Sequence, residues 1–146
     1  MNSNTQTQPA PGLTDWMQEH LKLYLDSGGR EGHIWRGVPT LLLTTMGRKS
    51  GKPMTLPLIY GECDDGFVVV ASKGGAPGHP AWYLNLRDQP EVEVQVGTDK
   101  FTAHARTAGA GEKPELWRRM VTIWPDYDKY QQSTSRDIPV VILERQ

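Results

Sequence analysis

Little in this sequence speaks for a covalent scaffold, a metal centre or a membrane span. Cys63 is the only cysteine, so no internal disulfide can form, and a reducing cytoplasm is the expected setting. The four histidines, His20, His33, His79 and His104, share no metal-ligand spacing, which predicts no metal. No run of about 18 apolar residues occurs, so no helix is expected to cross a bilayer. The net charge of -1 gives no global pull toward nucleic acid or anionic lipid, and any anion site must be local. The N-terminus lacks a basic start followed by an apolar stretch, so it does not read as a secretory signal.

What is present fits one soluble globular domain. The chain has 146 residues, of which 37% are hydrophobic and 23% charged, enough for a single substantial core. Residues 1–11 are polar and Pro-containing and read as a disordered tail; residues 12–146 read as the domain.

Thr14 is a candidate N-cap for a helix over 15–26, with Trp16, Leu21, Tyr24 and Leu25 on its apolar face and Met17 beside it. Ser27-Gly28-Gly29 ends that helix, and 30–39 is a glycine-rich connector. Strand patterns follow over 40–46, 54–62 and 67–72, the last a continuous apolar run buried on both faces. Pro57 marks the second strand as an edge or a bulge. Asp65-Gly66 is a hairpin turn. The glycine- and proline-rich loop 73–80 leads into a short helix over 81–87. In 91–96 the valines Val92, Val94 and Val96 face inward, and Glu91, Glu93 and Gln95 face water. Strand 101–107 alternates again. A helix over 114–123 stops before Pro125, a second short helix covers 126–133, and a strand runs over 138–144. Six strands, helices outside them and no βαβ repeat predict a mainly β domain, an antiparallel barrel or sandwich.

Three places carry chemistry. The hairpin loop Gly47-Arg48-Lys49-Ser50-Gly51-Lys52 sets three cations and a hydroxyl between glycines, a set that can replace the hydration shell of a phosphate. It is not a Walker A loop, because no helix follows. A solvated basic turn remains the other reading. The loop Ala71-Ser72-Lys73-Gly74-Gly75 leaves a buried strand just before Trp82 and Tyr83. These aromatics either flank a planar ring or, with Leu86 on the same face as Trp82, pack the helix onto the sheet. Trp124, Tyr127 and Tyr130 recur every three residues, as core or as the lining of an apolar pocket.

Four segments in order then resemble one family: Leu41-Leu42-Leu43-Thr44-Thr45-Met46-Gly47-Arg48-Lys49-Ser50-Gly51-Lys52-Pro53, Pro57-Leu58, Val70-Ala71-Ser72-Lys73-Gly74-Gly75 and Pro80-Ala81-Trp82-Tyr83-Leu84-Asn85-Leu86. The stretch from 37 to 144 resembles the deazaflavin-dependent nitroreductases, which use coenzyme F420 and have a split β-barrel fold. The resemblance implies that Arg48, Lys49, Ser50 and Gly51 hold the cofactor phosphate and acidic tail, with Thr44, Thr45, Met46 and Gly47 beside it. It implies that Pro57, Leu58, Ala71, Ser72, Lys73 and Gly74 contact the deazaflavin and its ribityl chain, and that Trp82 and Asn85 help close the site. Ser72, Ile59, Trp124, Tyr127 and Tyr130 would face the acceptor, with Ser72, Tyr127 or Tyr130 as donor to it. Trp124 stands where the family often has tyrosine, and Ile59 where it can have an aromatic; both bear on the acceptor rather than the cofactor.

The implied activity is hydride transfer from reduced F420 to a quinone, nitroaromatic or α,β-unsaturated lactone. The competing readings are a reductase using flavin mononucleotide, the weaker cofactor candidate, and a non-catalytic barrel that binds F420 or a lipid. A nucleic-acid-binding barrel is disfavoured, since no sheet face interleaves aromatic and basic residues. The expected partner is a small-molecule electron acceptor. An exposed strand edge would let two copies pair as a homodimer. The helix 15–26 offers a surface for peripheral contact with the inner face of the plasma membrane, although covering the barrel end is the simpler reading.

Overall fold

The computed structural model describes residues 13–146 and the backbone of Gln8–Pro9. The rest of the tail read as disordered lies outside the described residues. Gln8–Pro9 (β1) pairs in parallel with Met54–Thr55. The helix α1 (Asp15–Asp26) follows, then β2 (Ile34–Trp35), β3 (Val38–Met46) and β4 (Pro53–Ile59). After β5 (Gly61–Cys63) and β6 (Gly66–Val70), a 3-10 turn at Lys73–Gly75 leads to α2 (Ala81–Asp88). The hairpin β7 (Glu91–Val96) and β8 (Asp99–Thr107), the helices α3 (Lys113–Ile123) and α4 (Asp126–Gln132) and the strand β9 (Val140–Arg145) complete the chain.

The strands run in the order β1-β4-β3-β7-β8-β9-β6-β5, with β2 against β3. Every pairing except β1 with β4 is antiparallel. β4, flanked on its outer side only by the two-residue β1, and β5, at the other end of the path, are separated in sequence only by Tyr60. The two ends of the sheet must therefore meet, and the sheet curls into a half-barrel of the expected split-barrel kind.

Seven strands of three residues or more replace the six expected. The span 54–62 is two strands, because the backbone leaves β3 after Ile59 and joins β6 at Gly61. The turn after β5 is Asp64–Asp65, and Gly66 already pairs with Cys63 as the first residue of β6. The last strand begins at Val140 rather than residue 138, since Pro139 has no N–H to give the ladder.

Alternation along β3 and β6 explains their unbroken apolar runs. Leu41, Leu43 and Val69 point into the barrel, with Val94, Val141 and Leu143. Val68 and Val70 point outward, beneath Leu116 and Met120 of α3 and Tyr127 of α4. Leu42 also points outward, under Leu21 and Tyr24 of α1. A helix covers each outer face, so neither face of these strands meets water.

That cover corrects two expectations. Gln95, read as facing water, is buried beneath α1 and donates from Nε2 to the Gly97 carbonyl at 3.0 Å. On α1 itself the buried side chains are His20, Leu21 and Tyr24, whereas Trp16 and Leu25 are each 44% exposed. Thr14 occupies the N-cap position without a side-chain capping bond.

The Tyr24 hydroxyl ties α1 to the sheet. It donates toward the carbonyls of Thr40 (3.0 Å) and Gln95 (3.2 Å) and accepts from the Gly97 N–H at 2.7 Å. Burial raises the pKa of this phenol, so it stays protonated. Close by, a β-carbon on Gly29 would lie 1.7 Å from the Gly97 carbonyl oxygen, so the approach of the helix end to the β7–β8 turn requires glycine. Replacing Tyr24 with Phe strands the Gly97 N–H and two carbonyls. The expected cost is about 1–3 kcal/mol of stability, read as a lower urea midpoint at unchanged m-value. An unaltered midpoint would remove Tyr24 from this role.

Candidate functional site

A cleft of about 430 Å³ opens where β4, the turn after β6, α2 and α4 converge beneath α1. From β4 come Pro57, Leu58 and Ile59; from the loop come Ser72, Lys73 and Gly74. Trp82 closes one end, and Trp124, Tyr127 and Tyr130 form the far wall. Ten of the residues singled out in the sequence therefore meet in one place. Trp82 serves both readings given to it, since it is also packed into the barrel core. Tyr83 is core: its hydroxyl bonds Thr107 Oγ1 at 2.9 Å.

Two hydroxyls decide what this cleft can do. Ser72 is 8% exposed and Tyr127 5%, and neither hydroxyl has a hydrogen-bond partner among the described residues. Buried polar atoms are rarely left so, and a ligand group in the cleft would satisfy them. Burial, with a smaller contribution from Tyr130, raises the Tyr127 pKa well above the ordinary tyrosine value. Its hydroxyl therefore holds its proton at neutral pH and acts as a hydrogen-bond donor. Tyr130 lies edge-on to it at 6.0 Å between ring centroids and accepts from Trp124 Nε1 at 3.4 Å.

The basic hairpin lies outside the cleft but is fastened to it. Thr44 and Thr55 bond through their hydroxyls at 2.7 Å across β3 and β4. Asn85 of α2, buried, donates to Thr45 Oγ1 at 3.1 Å. Its Oδ1 accepts from the Arg48 N–H (3.2 Å) and Arg48 Nη1 (3.1 Å). Asn85 therefore anchors the loop, one helical turn from Trp82 at the cleft. Met46 ends β3 half-buried, the turn is closed by the Gly51 N–H donating to the Gly47 carbonyl and the Gly47 N–H to the Lys52 carbonyl (both 2.8 Å), and Ala71 is buried in the barrel.

Among the described residues Arg48, Lys49, Lys52 and Lys73 form no ion pair. The N–H groups of Lys49 and Ser50 donate to no acceptor there. Three cations and two free amides on an exposed turn make a donor set suited to a phosphate. An extended strand rises about 3.3 Å per residue, so Pro53 at the loop and Pro57 at the cleft lie roughly 13 Å apart. A ligand engaging both needs a planar apolar end and a long anionic tail. Among the described residues no group of His, Cys, Asp and Glu is arranged to hold a metal ion.

Sequence reading missed the roof. Trp16 stacks on Trp35 at 4.9 Å and 8°, His20 lies 6.0 Å from Trp35, and Trp35 reaches Trp124 at 5.8 Å. The Arg36 guanidinium covers Trp35 at 4.6 Å. The available signal was a tryptophan inside a glycine-rich connector, where turns rarely need one. Arg136 was missed too: it bonds four acceptors behind the Ser72 loop.

Known proteins are similar to this chain in sequence and fold. An F420H(2)-dependent quinone reductase from Mycobacterium tuberculosis is 36% identical over 91% of this chain and 98% of its own length. A solved F420-H2 dependent reductase, FDR-A, is 41% identical over 77% of this chain and 98% of its own, with a TM-score of 0.68. A solved structure described as a domain-swapped dimer is 39% identical over 89% and 98%, with a TM-score of 0.70. The family model for F420H(2)-dependent quinone reductases matches residues 16–145. With an aromatic cleft and a cationic hairpin suited to such a cofactor, this chain belongs to the F420H(2)-dependent quinone reductase family and is an F420-dependent oxidoreductase.

Proposed function

We propose that the cleft reduces a planar electrophilic acceptor, a quinone first and a nitroaromatic or conjugated lactone second. The observation that carries this is the pair of buried hydroxyls of Ser72 and Tyr127, without partners among the described residues, in an otherwise apolar, aromatic-walled cleft. When bound, reduced F420 supplies a hydride. The chain's own residues do the rest. Arg48, Lys49, Lys52 and the free amides of the hairpin hold the phosphate and acidic tail. Pro57, Leu58 and Gly74 present flat, small surfaces to the ring, and Trp82 closes its edge. Trp124 and Tyr130, with Ile59, face the acceptor.

Two electrons and a proton reach the acceptor as hydride, leaving an oxyanion on its far oxygen. Tyr127 and Ser72 donate hydrogen bonds to that oxygen as the charge develops. The raised pKa of Tyr127 suits it to that role and not to the role of acid: it stabilises the oxyanion while water delivers the second proton. Positioning in the cleft supplies the remainder of the acceleration.

Pairing of two copies is supported by the relative described as a domain-swapped dimer. Peripheral contact of α1 with the cytoplasmic face of a membrane has in its favour the exposed Trp16, Leu23 and Leu25. No helix among the described residues is long and apolar enough to cross a membrane.

Titrating the purified protein with F420 and with flavin mononucleotide, and following oxidation of reduced F420 by menadione, tests the reading. F420 affinity with menadione turnover is expected. Tight flavin mononucleotide binding without F420 affinity overturns it, and F420 binding without turnover of any quinone or nitro acceptor favours a carrier. Lys49→Ala should weaken F420 binding by about tenfold, the loss of roughly 1.4 kcal/mol from one charge-assisted contact, with the thermal midpoint unchanged. Equal affinity in that variant contradicts the phosphate role of the hairpin. Tyr127→Phe should lower kcat with menadione by about 10²-fold while leaving the F420 dissociation constant alone. Tyr130→Phe should also slow turnover more than it weakens cofactor binding, and identical kinetics would remove its hydroxyl from acceptor contact.

A further inference from the structure

Arg136 sits between α4 and β9, behind the turn that carries Ser72 and Lys73. Its guanidinium brackets that turn from both ends. Nη1 donates to the Ala71 carbonyl at 3.2 Å and Nη2 to the Ser72 carbonyl at 2.7 Å; Nε donates to the Ala76 carbonyl at 2.9 Å. Nη1 also donates to His79 Nδ1 at 3.1 Å, which fixes His79 as neutral with its proton on Nε2. Among the described residues Arg136 has no carboxylate partner. Four of its five N–H groups are spent on backbone carbonyls and one imidazole, an arrangement that positions rather than neutralises.

The bracketed turn needs such a hold. Lys73 has a φ of +47°, a left-handed conformation sparsely populated for a residue with a β-carbon. The internal bonds of the turn are two, from the Gly75 N–H to the Ser72 carbonyl (2.9 Å) and from the Ala76 N–H to the Lys73 carbonyl (3.1 Å). The Ser72 carbonyl thus accepts from both Gly75 and Arg136. On its other side the turn presses on α4: a β-carbon on Gly75 would lie 2.1 Å from Ser133 Oγ and 2.8 Å from the Tyr130 carbonyl. One guanidinium therefore fixes the wall bearing Ser72 against the helix bearing Tyr127 and Tyr130.

We propose that Arg136 is a positioning residue for the reaction: by clamping the carbonyls of Ala71, Ser72 and Ala76 it holds the Ser72 hydroxyl and the Lys73 backbone in register with the tyrosine wall. The clamp acts through the turn and touches neither cofactor nor acceptor. The proposal rests on the function proposed above for the reaction that this wall serves, but the clamp itself is testable in cofactor-free protein.

The test compares wild type, Arg136→Lys and Arg136→Met by residue-resolved hydrogen exchange without cofactor, then by steady-state kinetics with reduced F420 and menadione, with and without added guanidinium ion. Lysine keeps the charge but is a single point donor and cannot bracket the turn. In both variants exchange at Gly75 and Ala76 should rise about tenfold or more while the β7–β8 amides keep their protection. Turnover should fall by about 10²-fold through kcat with little change in KM. Guanidinium should restore part of both the protection and the rate in Arg136→Met. Unchanged exchange at Gly75 and Ala76, or a loss of protection spread over the whole sheet with no rescue, overturns the proposal. Arg136→Lys keeps the test decisive if Arg136→Met does not fold. Absence of wild-type turnover with reduced F420 counts against the proposed function alone, since the exchange map still decides the clamp.

Discussion

The molecule depends on one covalent constraint, the single residue Tyr60 between β4 and β5. The second and the last strand of an eight-strand path are forced to adjoin, so the sheet has to curl round on itself. Tyr60 is built to hold that corner. Its N–H reaches back to the Pro39 carbonyl at 3.2 Å, its hydroxyl bonds His33 Nε2 at 2.8 Å, and its ring meets Phe67 edge-on at 5.5 Å. Closure at this corner sets Tyr60 and Phe67 in one core cluster. It also brings β4 against β6, and the cleft lies along that junction: Pro57 to Ile59 on one side, Val70 and Ser72 on the other.

The parts of this architecture legible in the sequence are those set by short-range periodicity. Val92 and Val94 alternate with charged residues, and the structure buries them as the pattern demands. The hairpin at Gly47–Lys52 was legible as a turn because its glycines interrupt two strand-like runs. The illegible parts depend on a neighbour from elsewhere in the chain. Gln95 reads as a surface residue until α1 is laid over it. Trp16 reads as core for α1, yet its partner is Trp35, on a connector that carries no period. The span 54–62 reads as one strand because the change of pairing partner at Tyr60 leaves the composition unaltered.

Arg136 is the clearest case of a residue that sequence cannot place. It lies in the polar stretch Ser133-Thr134-Ser135-Arg136-Asp137, where a solvated arginine is the ordinary expectation. The structure turns it inward, where desolvation depresses its pKa and carbonyl dipoles replace water. Local rules fail together in this region: among the described residues, a half-buried cation without a carboxylate, a left-handed lysine at residue 73, and two buried hydroxyls without partners. Such concentration of local cost is what a binding site imposes on an otherwise consistent sequence.

The division of labour follows from where charge and polarity are placed. The hairpin is exposed and cationic, so in the proposed reading it selects by charge and its hold on an anionic tail is screened by salt. The cleft has almost no charge of its own. Lys73 stands at its rim, and Ser72 and Tyr127 supply neutral donors inside. A neutral donor in an apolar setting favours a ligand that is uncharged on arrival and gains negative charge only during reaction, because an anion would be desolvated on entry without a compensating cation. For the reaction proposed above, such a wall favours the transition state over a charged ground state, and flat carbonyl or nitro acceptors over carboxylates.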